Sequence, residues 1–318
     1  RHTAERLAIS RAFKPSVLEA MGPDIRTLVN DMIDEVVDQG RGDLVRDLAM
    51  PLPLVVMCWM LGMPEEDIAM FRSWVLPMAE AVALEGGRAA NDEVVNAYRQ
   101  YYGYFGPHIQ RRADALDAGE AVPDDLLTRL LTVERDGEKL TNQQVIGFCQ
   151  FLLVAGSATT TLLIGNVVDR LMRHADQMAL VQADRTLIPN VIEESLRIDA
   201  PVHGLFRTNN CPVTLHDVEI PVDSKVYMLF GSANLDPASW DDPDRFDITR
   251  DLTDLRKRHG AFGAGIHYCL GAPLSRLEGA VALEAVLDRM PRIRPDGAST
   301  RVKASVLHGF ESLPVRWD

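Results

Sequence analysis

The sequence predicts a mainly helical protein with a few small β-sheets, and three observations carry that expectation. Apolar residues recur at three- and four-residue spacing, as in Leu18, Met21, Ile25, Leu28, Met32, Ile33 and Val36. The segment from Leu140 to Val168 holds no charged residue, and it opens with Thr141 and Gln144, the residue pair of a helix capping box. After Pro201 the pattern changes to short runs rich in β-branched and aromatic residues.

The elements follow in order. Residues 3–13 read as a helix stopped by Pro15, and 16–39 as a second, ended by Gly40 and Gly42. Residues 43–62 lead through Pro51 and Pro53 into an apolar helix. Pro64-Glu65-Glu66-Asp67 starts another, because proline and acids suit a first turn, and Gly86-Gly87 breaks it. Residues 90–117 read as a long helix with clustered aromatics, and Asp124-Asp125-Leu126-Leu127 opens a short one. Asp136-Gly137 reads as a turn ahead of the long uncharged helix. Helices over 174–183 and 186–198 precede the strands 205–208, 213–215, 218–220 and 225–230. Residues 233–260 show little periodicity, 272–290 read as an amphipathic helix, and strands return near 305–307 and 313–317.

The bulk properties narrow the function classes. A chain of 318 residues that is 47% apolar and 25% charged is an ordinary globular chain with enough length for a large core. A net charge of -13 argues against nucleic acid as a partner. Four cysteines without a CxxC pair suit a reducing cytoplasm, and no signal-peptide pattern opens the chain. The chain starts at Arg1 within a helical pattern, so it reads as an N-terminally incomplete piece of a longer protein. The uncharged segment is long enough for a membrane span, but its glutamines, Asn142, Ser157 and three consecutive threonines suit the central helix of a large helical protein, with no membrane involved.

Two stretches carry chemistry. In Phe262-Gly263-Ala264-Gly265-Ile266-His267-Tyr268-Cys269-Leu270-Gly271, glycines permit a tight turn before a helix, and Cys269 stands at the start of that helix. The positive end of the helix favours the thiolate. Such a thiolate is a ligand for a soft or borderline metal such as haem iron, whereas the four ligands of a zinc site are not at hand. The second stretch, Ala155-Gly156-Ser157-Ala158-Thr159-Thr160-Thr161, is unfavourable helix at the middle of the longest helix. Either close helix–helix approach or space for a flat ligand and dioxygen would account for it.

Phe-Gly-x-Gly-x-His-x-Cys-x-Gly resembles the haem-ligand loop of the cytochrome P450 superfamily, the haem-thiolate monooxygenases. The resemblance extends from His2 to the final strands and implies the cytochrome P450 fold, one domain over 1–318 without its N-terminal sheet and pocket-closing loop. It implies haem b (iron protoporphyrin IX) held by Cys269 as iron ligand, with Phe262, Gly263, Gly271, Ala155 and Gly156 lining the cofactor. His2, Arg6, Arg207 and His267 match the positions that hold the two propionates, which call for cationic donors. Glu194 and Arg197 match the family's Glu-x-x-Arg brace, with Arg245 as its expected third member. Thr159 matches the distal hydroxyl. Ala158 departs from the pattern, because an acid usually stands there and helps to deliver protons.

The implied activity is insertion of one oxygen atom from O2 into a small apolar organic molecule. No Gly-x-Gly-x-x-Gly nucleotide fingerprint occurs, so the expected electron donors are a separate ferredoxin and ferredoxin reductase. The expected state is a monomer. Phe151, Leu152, Ala158, Val202, Leu205 and Leu307 are the candidate substrate-pocket residues. Ala158 leaves two alternatives open: a peroxide-driven peroxygenase, or a haem-binding protein without oxygenase activity.

Overall fold

Thr141 caps the longest helix, Asn142–Arg173, through both halves of a capping box: its hydroxyl accepts from the Gln144 N–H at 3.3 Å, and Gln144 Oε1 accepts from the Thr141 N–H at 2.8 Å. The rest of the molecule is arranged about this helix. The computed structural model describes residues 6, 9, 10, 13–83, 92–135 and 138–318. The expected breaks at Gly86-Gly87 and Asp136-Gly137, and most of the first helix, lie outside these residues.

In chain order the elements are α1 (Pro15–Asp34), β1 (Arg41–Asp43), α2 (Pro51–Leu61), α3 (Ile68–Ala83), α4 (Asp92–Asp117), α5 (Leu126–Thr132), β2 (Glu134–Arg135), β3 (Glu138–Lys139) and α6 (Asn142–Arg173). There follow α7 (Ala175–Ala183), α8 (Ile188–Ile198), β4 (Gly204–Thr208), β5 (Val213–Leu215), β6 (Val218–Ile220), β7 (Lys225–Leu229), α9 (Phe230–Ala233), α10 (Leu252–Arg258) and α11 (Ala272–Arg289). The short strands β8 (Arg294–Pro295), β9 (Thr300–Arg301), β10 (Phe310–Ser312) and β11 (Pro314–Arg316) close the chain.

The sheets are small and antiparallel. In one, β11 lies between β1 and β8, with Gly42 opposite Val315 and Val315 opposite Pro295. β4 pairs with β7 from Gly204–Leu229 to Thr208–Lys225. β5 and β6 form a hairpin whose turn residues, His216 and Asp217, both have positive φ, the geometry that suits the twist of a two-residue turn. The sequence did not disclose β1, because three residues of Arg-Gly-Asp carry no alternation; their pairing with the C-terminal strand fixes them. It also ran 225–230 as strand, whereas Phe230 starts α9, and it treated α10 as irregular. Pro15 begins α1 instead of only stopping a preceding helix, as a proline at a first helical position can.

Two apolar cores flank α6. The larger gathers α1 to α5, one side of α6 that includes Ile164 and Val168, α11 and the C-terminal strands. The smaller joins Leu163, Val167 and Leu171 of α6 to α8, α11, Phe246 and Ile248. Along α6 from Thr160 to Asp169 every residue is buried. Before that point a stripe at four-residue spacing is open: Gly147 and Ala155 are exposed, Phe151 is 62% exposed, and Thr159 is half-buried. Two thirds of the most apolar window of α6 is buried inside the protein, which makes it a core helix despite its span-like composition.

Candidate active site

The cysteine loop is assembled by backbone turns. Gly263 and Gly265 adopt φ of +68° and +64°, where a side chain would be strained. The Gly263 N–H donates to the Gly260 carbonyl, the Tyr268 N–H to the Gly265 carbonyl, and the Cys269 N–H to the Phe262 carbonyl at 2.9 Å. These bonds deliver Cys269 two residues ahead of Gly271, the cap of α11. Burial is the largest influence on its thiol and pushes it above its ordinary pKa; the Gly271 and Ala272 N–H groups, Arg276 and Arg6 act against that. The expected amides are therefore aimed at the sulfur. The helix-start amides act in the expected direction, and burial acts against them.

Beneath the loop, two adjacent carboxylates of α8 reach in different directions. Glu194 and Arg197 are both fully buried and form a bidentate pair at 2.8 Å. Arg197 continues to the carbonyls of Asn234, Pro243 and Arg245, and its guanidinium lies 5.1 Å from the Trp240 ring centroid. Glu194 also accepts from the Asp247 N–H at 3.0 Å and from Arg250 Nε at 3.2 Å. This corrects the expected role of Arg245, which offers only its carbonyl while its side chain is exposed and lies 3.8 Å from Asp247. The side chain that completes the brace is Arg250.

Glu193, the other carboxylate, accepts from His259 at 2.9 Å, from Arg276 at 2.6 and 3.0 Å and from Arg256 at 3.1 Å. Burial alone would raise its pKa, but the His259 and Arg276 hydrogen bonds and charges take it down to about 2. Sequence reading missed this group. Its signal was the Glu-Glu doublet, which puts a second carboxylate beside the expected one.

The oxygen-side stretch divides by face. A Cβ on Gly156 would lie 2.6 Å from Met57 Sδ, so this glycine permits α2 to approach α6. The helix-approach explanation accounts for Gly156, while Ala155 lies on the open stripe. Ser157 is buried and donates to the Leu153 carbonyl at 2.5 Å. Thr159 donates to the Ala155 carbonyl at 2.9 Å, which leaves its oxygen lone pairs free to accept. Ala158 is half-buried against the larger core.

The remaining candidates are placed as follows. Arg6 donates to the Tyr268 carbonyl at 2.5 Å, next to Cys269, and His2 lies outside the described residues. Arg207 is exposed on β4 and bonds the Phe206 carbonyl; His267 is exposed at the end of a short 3-10 turn. Val202 and Leu307 meet through a single antiparallel bridge, Leu205 is exposed, and Leu152 is corrected from pocket to core because it is buried in the larger cluster. Asn166 Nδ2 ties this region to α6 by donating to the carbonyls of Asp199 and His308.

The residues fit a flat, apolar-faced and acidic-edged cofactor. Large apolar groups stand exposed on both stretches, with Phe151 at 62% and Ile266 at 67%. A sulfur donor receives two amides, and Arg6, beside it, is a cation suited to a carboxylate. A helical scaffold carries a buried glutamate–arginine brace, a glycine-rich cysteine loop and an open stripe on the central helix, features that suit a haem-thiolate type of site.

The comparisons with known proteins give the family. The model for Cytochrome P450 matches residues 87–291. The chain is 37% identical to cyclomarin C epoxidase CymV of Salinispora arenicola, over 93% of the chain and 73% of that protein. It is 37% identical to 6-deoxyerythronolide B hydroxylase of Saccharopolyspora erythraea, over 100% and 76%. The solved structure of P450BioI in complex with an acyl carrier protein matches with a TM-score of 0.91 at 30% identity, covering 99% of this chain and 79% of that one. This chain belongs to the cytochrome P450 family, and it is an enzyme of the P450 monooxygenase class.

Proposed function

We propose that this chain binds haem b through Cys269 and inserts one oxygen atom from O2 into a small apolar organic molecule in the cytoplasm. A ferredoxin and its reductase supply the electrons, residues 1–318 belong to one cytochrome P450 domain, and the protein acts as a monomer. The observation that carries the reading is the Cys269 sulfur, with the Gly271 and Ala272 N–H groups aimed at it and Arg6 and Arg276 nearby. The named relatives act as an epoxidase and a hydroxylase, which supports oxygen insertion as the net reaction.

The cofactor, when bound, supplies the oxidising chemistry, promoted by electron donation from the thiolate. The protein binds and orients. Cys269 fixes one face, and the two amides limit the charge that builds on its sulfur. Arg6, Arg207, His267 and His2 are the hydrogen-bond donors offered to the propionates. Phe262, Gly263 and Gly271 shape the sulfur side; Ala155, at the open stripe, keeps the other side clear, and Gly156 lets α2 close against α6 behind it. Phe151, Ala158, Val202, Leu205 and Leu307 are the apolar walls offered to substrate. Thr159 Oγ1 holds a proton on the Ala155 carbonyl and can turn it toward the open side. With Ala158 next to it there is no carboxylate to resupply that proton, so resupply falls to water or to a group on the substrate.

The test is spectroscopic. The reduced carbon-monoxide complex of the haem-loaded protein should show the red-shifted Soret band of thiolate ligation, and Cys269→Ser should remove it. Turnover of NADH and O2 with redox partners then identifies the monooxygenase. Product from peroxide alone identifies the peroxygenase, the second reading that Ala158 favours, and haem binding without either identifies a non-oxygenase.

A further inference from the structure

The two glutamates of α8 divide their work, and only Glu194 belongs to the expected brace. Glu193 is 1% exposed, yet it gathers three cationic or donor side chains: His259 and Arg256 from the segment ahead of the loop, and Arg276 from α11 behind it. Arg276 then touches the loop twice. Its guanidinium lies 4.5 Å from the Phe262 ring centroid, and its NH1 donates to the Tyr268 hydroxyl at 3.2 Å. Phe262 is the residue whose carbonyl receives the Cys269 N–H, and Tyr268 directly precedes the cysteine. Arg276 is therefore a positive charge wedged between a buried carboxylate and both ends of the cysteine loop.

We propose that the Glu193–Arg276 pair is a positioning device that sets the electrostatic balance at the Cys269 sulfur, and with it the reduction potential of a haem held there. The inference rests on the reading of Cys269 as the haem ligand. Its physical basis is that charges in a partly desolvated site act at low effective dielectric, and that hydrogen bonding and charge around a ligating sulfur tune the metal. A positive charge near the sulfur disfavours the more positive ferric state, so removing it should stabilise that state and lower the potential. A negative charge has the opposite effect, so removing Glu193 should raise the potential.

The experiment is a spectroscopically monitored redox titration of haem-loaded wild type, Arg276→Gln, Arg276→Lys, Glu193→Gln and the Arg276→Gln/Glu193→Gln double variant. Thermal unfolding of each is measured alongside. The expected result is a more negative potential for Arg276→Gln, a more positive one for Glu193→Gln, and a double variant close to wild type. Arg276→Lys keeps the charge and should stay near wild type in potential even where it loses stability, which preserves the test if Arg276→Gln loads haem poorly. Shifts of the same sign for the two single variants, or losses of stability without a shift, overturn the inference. So does an Arg276→Lys potential displaced as far as that of Arg276→Gln. A wild type that lacks the thiolate Soret band overturns the ligand reading, and the inference with it. A wild type that has the band but shows same-sign shifts overturns the inference alone.

Discussion

The two sides of the candidate site are built differently. On the sulfur side, charges are buried and matched: Glu194 has Arg197 and Arg250, Glu193 has Arg276, Arg256 and His259, and each set reaches a different stretch of irregular backbone. On the oxygen side, the central helix carries no charge from Leu140 to Val168, and its hydroxyls turn back on their own helix, Ser157 to Leu153 and Thr159 to Ala155. The first side is over-determined, since several partners hold each loop. The second is held by apolar packing and leaves one face of its helix open. Changes on the sulfur side should therefore cost stability and spectrum together, whereas changes on the oxygen side should separate them.

The largest effect is expected at Arg197. Arg197→Leu leaves a fully buried Glu194 with only Arg250 and the Asp247 N–H and strands three carbonyls, and breaking such a pair costs about 3–5 kcal/mol. Chemical denaturation should show that loss, with little thiolate-type Soret signal. Arg245→Ala, at an exposed side chain whose carbonyl remains, should stay within about 0.5 kcal/mol of wild type. A large loss at Arg245 would mean that its side chain, rather than that of Arg250, completes the brace.

Acid should weaken the sulfur side next. Glu193 is held down at about 2 against an ordinary value of 4.5, so its contribution is complete above about 4.5 and fades as pH falls toward 2. That span corresponds to roughly 3 kcal/mol. The urea midpoint of wild type should drop through this window, and Glu193→Gln should flatten the drop while starting from a lower midpoint.

Much of this contrast could be read from the chain, for physical reasons that differ by residue. Cys269, Glu194 and Arg197 are local: fixed spacing on a turn or on one helical face brings the groups together, so spacing suffices. The long helix and its capping box are local as well. Arg250 for Arg245, Glu193 with Arg276, and β1 with β11 are pairings across 56, 83 and 271–275 positions. No periodicity reports which arginine of a proline- and aspartate-rich segment turns inward. Gly156 shows the same limit from the other direction, since its two explanations differ only in whether Met57 lies opposite, and that depends on how α2 crosses α6.

Gly156 also sharpens the comparison by a mid-sized effect. Gly156→Ala gains helix propensity, but its methyl would meet Met57 at 2.6 Å, and overpacking of this kind costs about 1–3 kcal/mol. Pairing it with Met57→Ala should recover part of the loss, a coupling that a double-mutant cycle reads directly. Absence of coupling would separate Gly156 from the α2–α6 approach.

The smallest stability effect, and the clearest separation of the two sides, is expected at Thr159. Among the described residues its hydroxyl bonds the carbonyl one turn back, and threonine is a poorer helix former than alanine. Thr159→Ala should leave the unfolding midpoint unchanged or raise stability by up to about 0.5 kcal/mol, and the thiolate Soret band should be retained. The consequence should appear in turnover. With the hydroxyl gone and Ala158 beside it, no side chain at positions 158 and 159 can hold a proton toward the open face, so less of the NADH consumed should end as oxygenated product. Thr159→Ser keeps the hydroxyl and should restore that fraction. If Thr159→Ala couples NADH to product as well as wild type does, protons reach the reaction without this residue, and water or the substrate alone carries them.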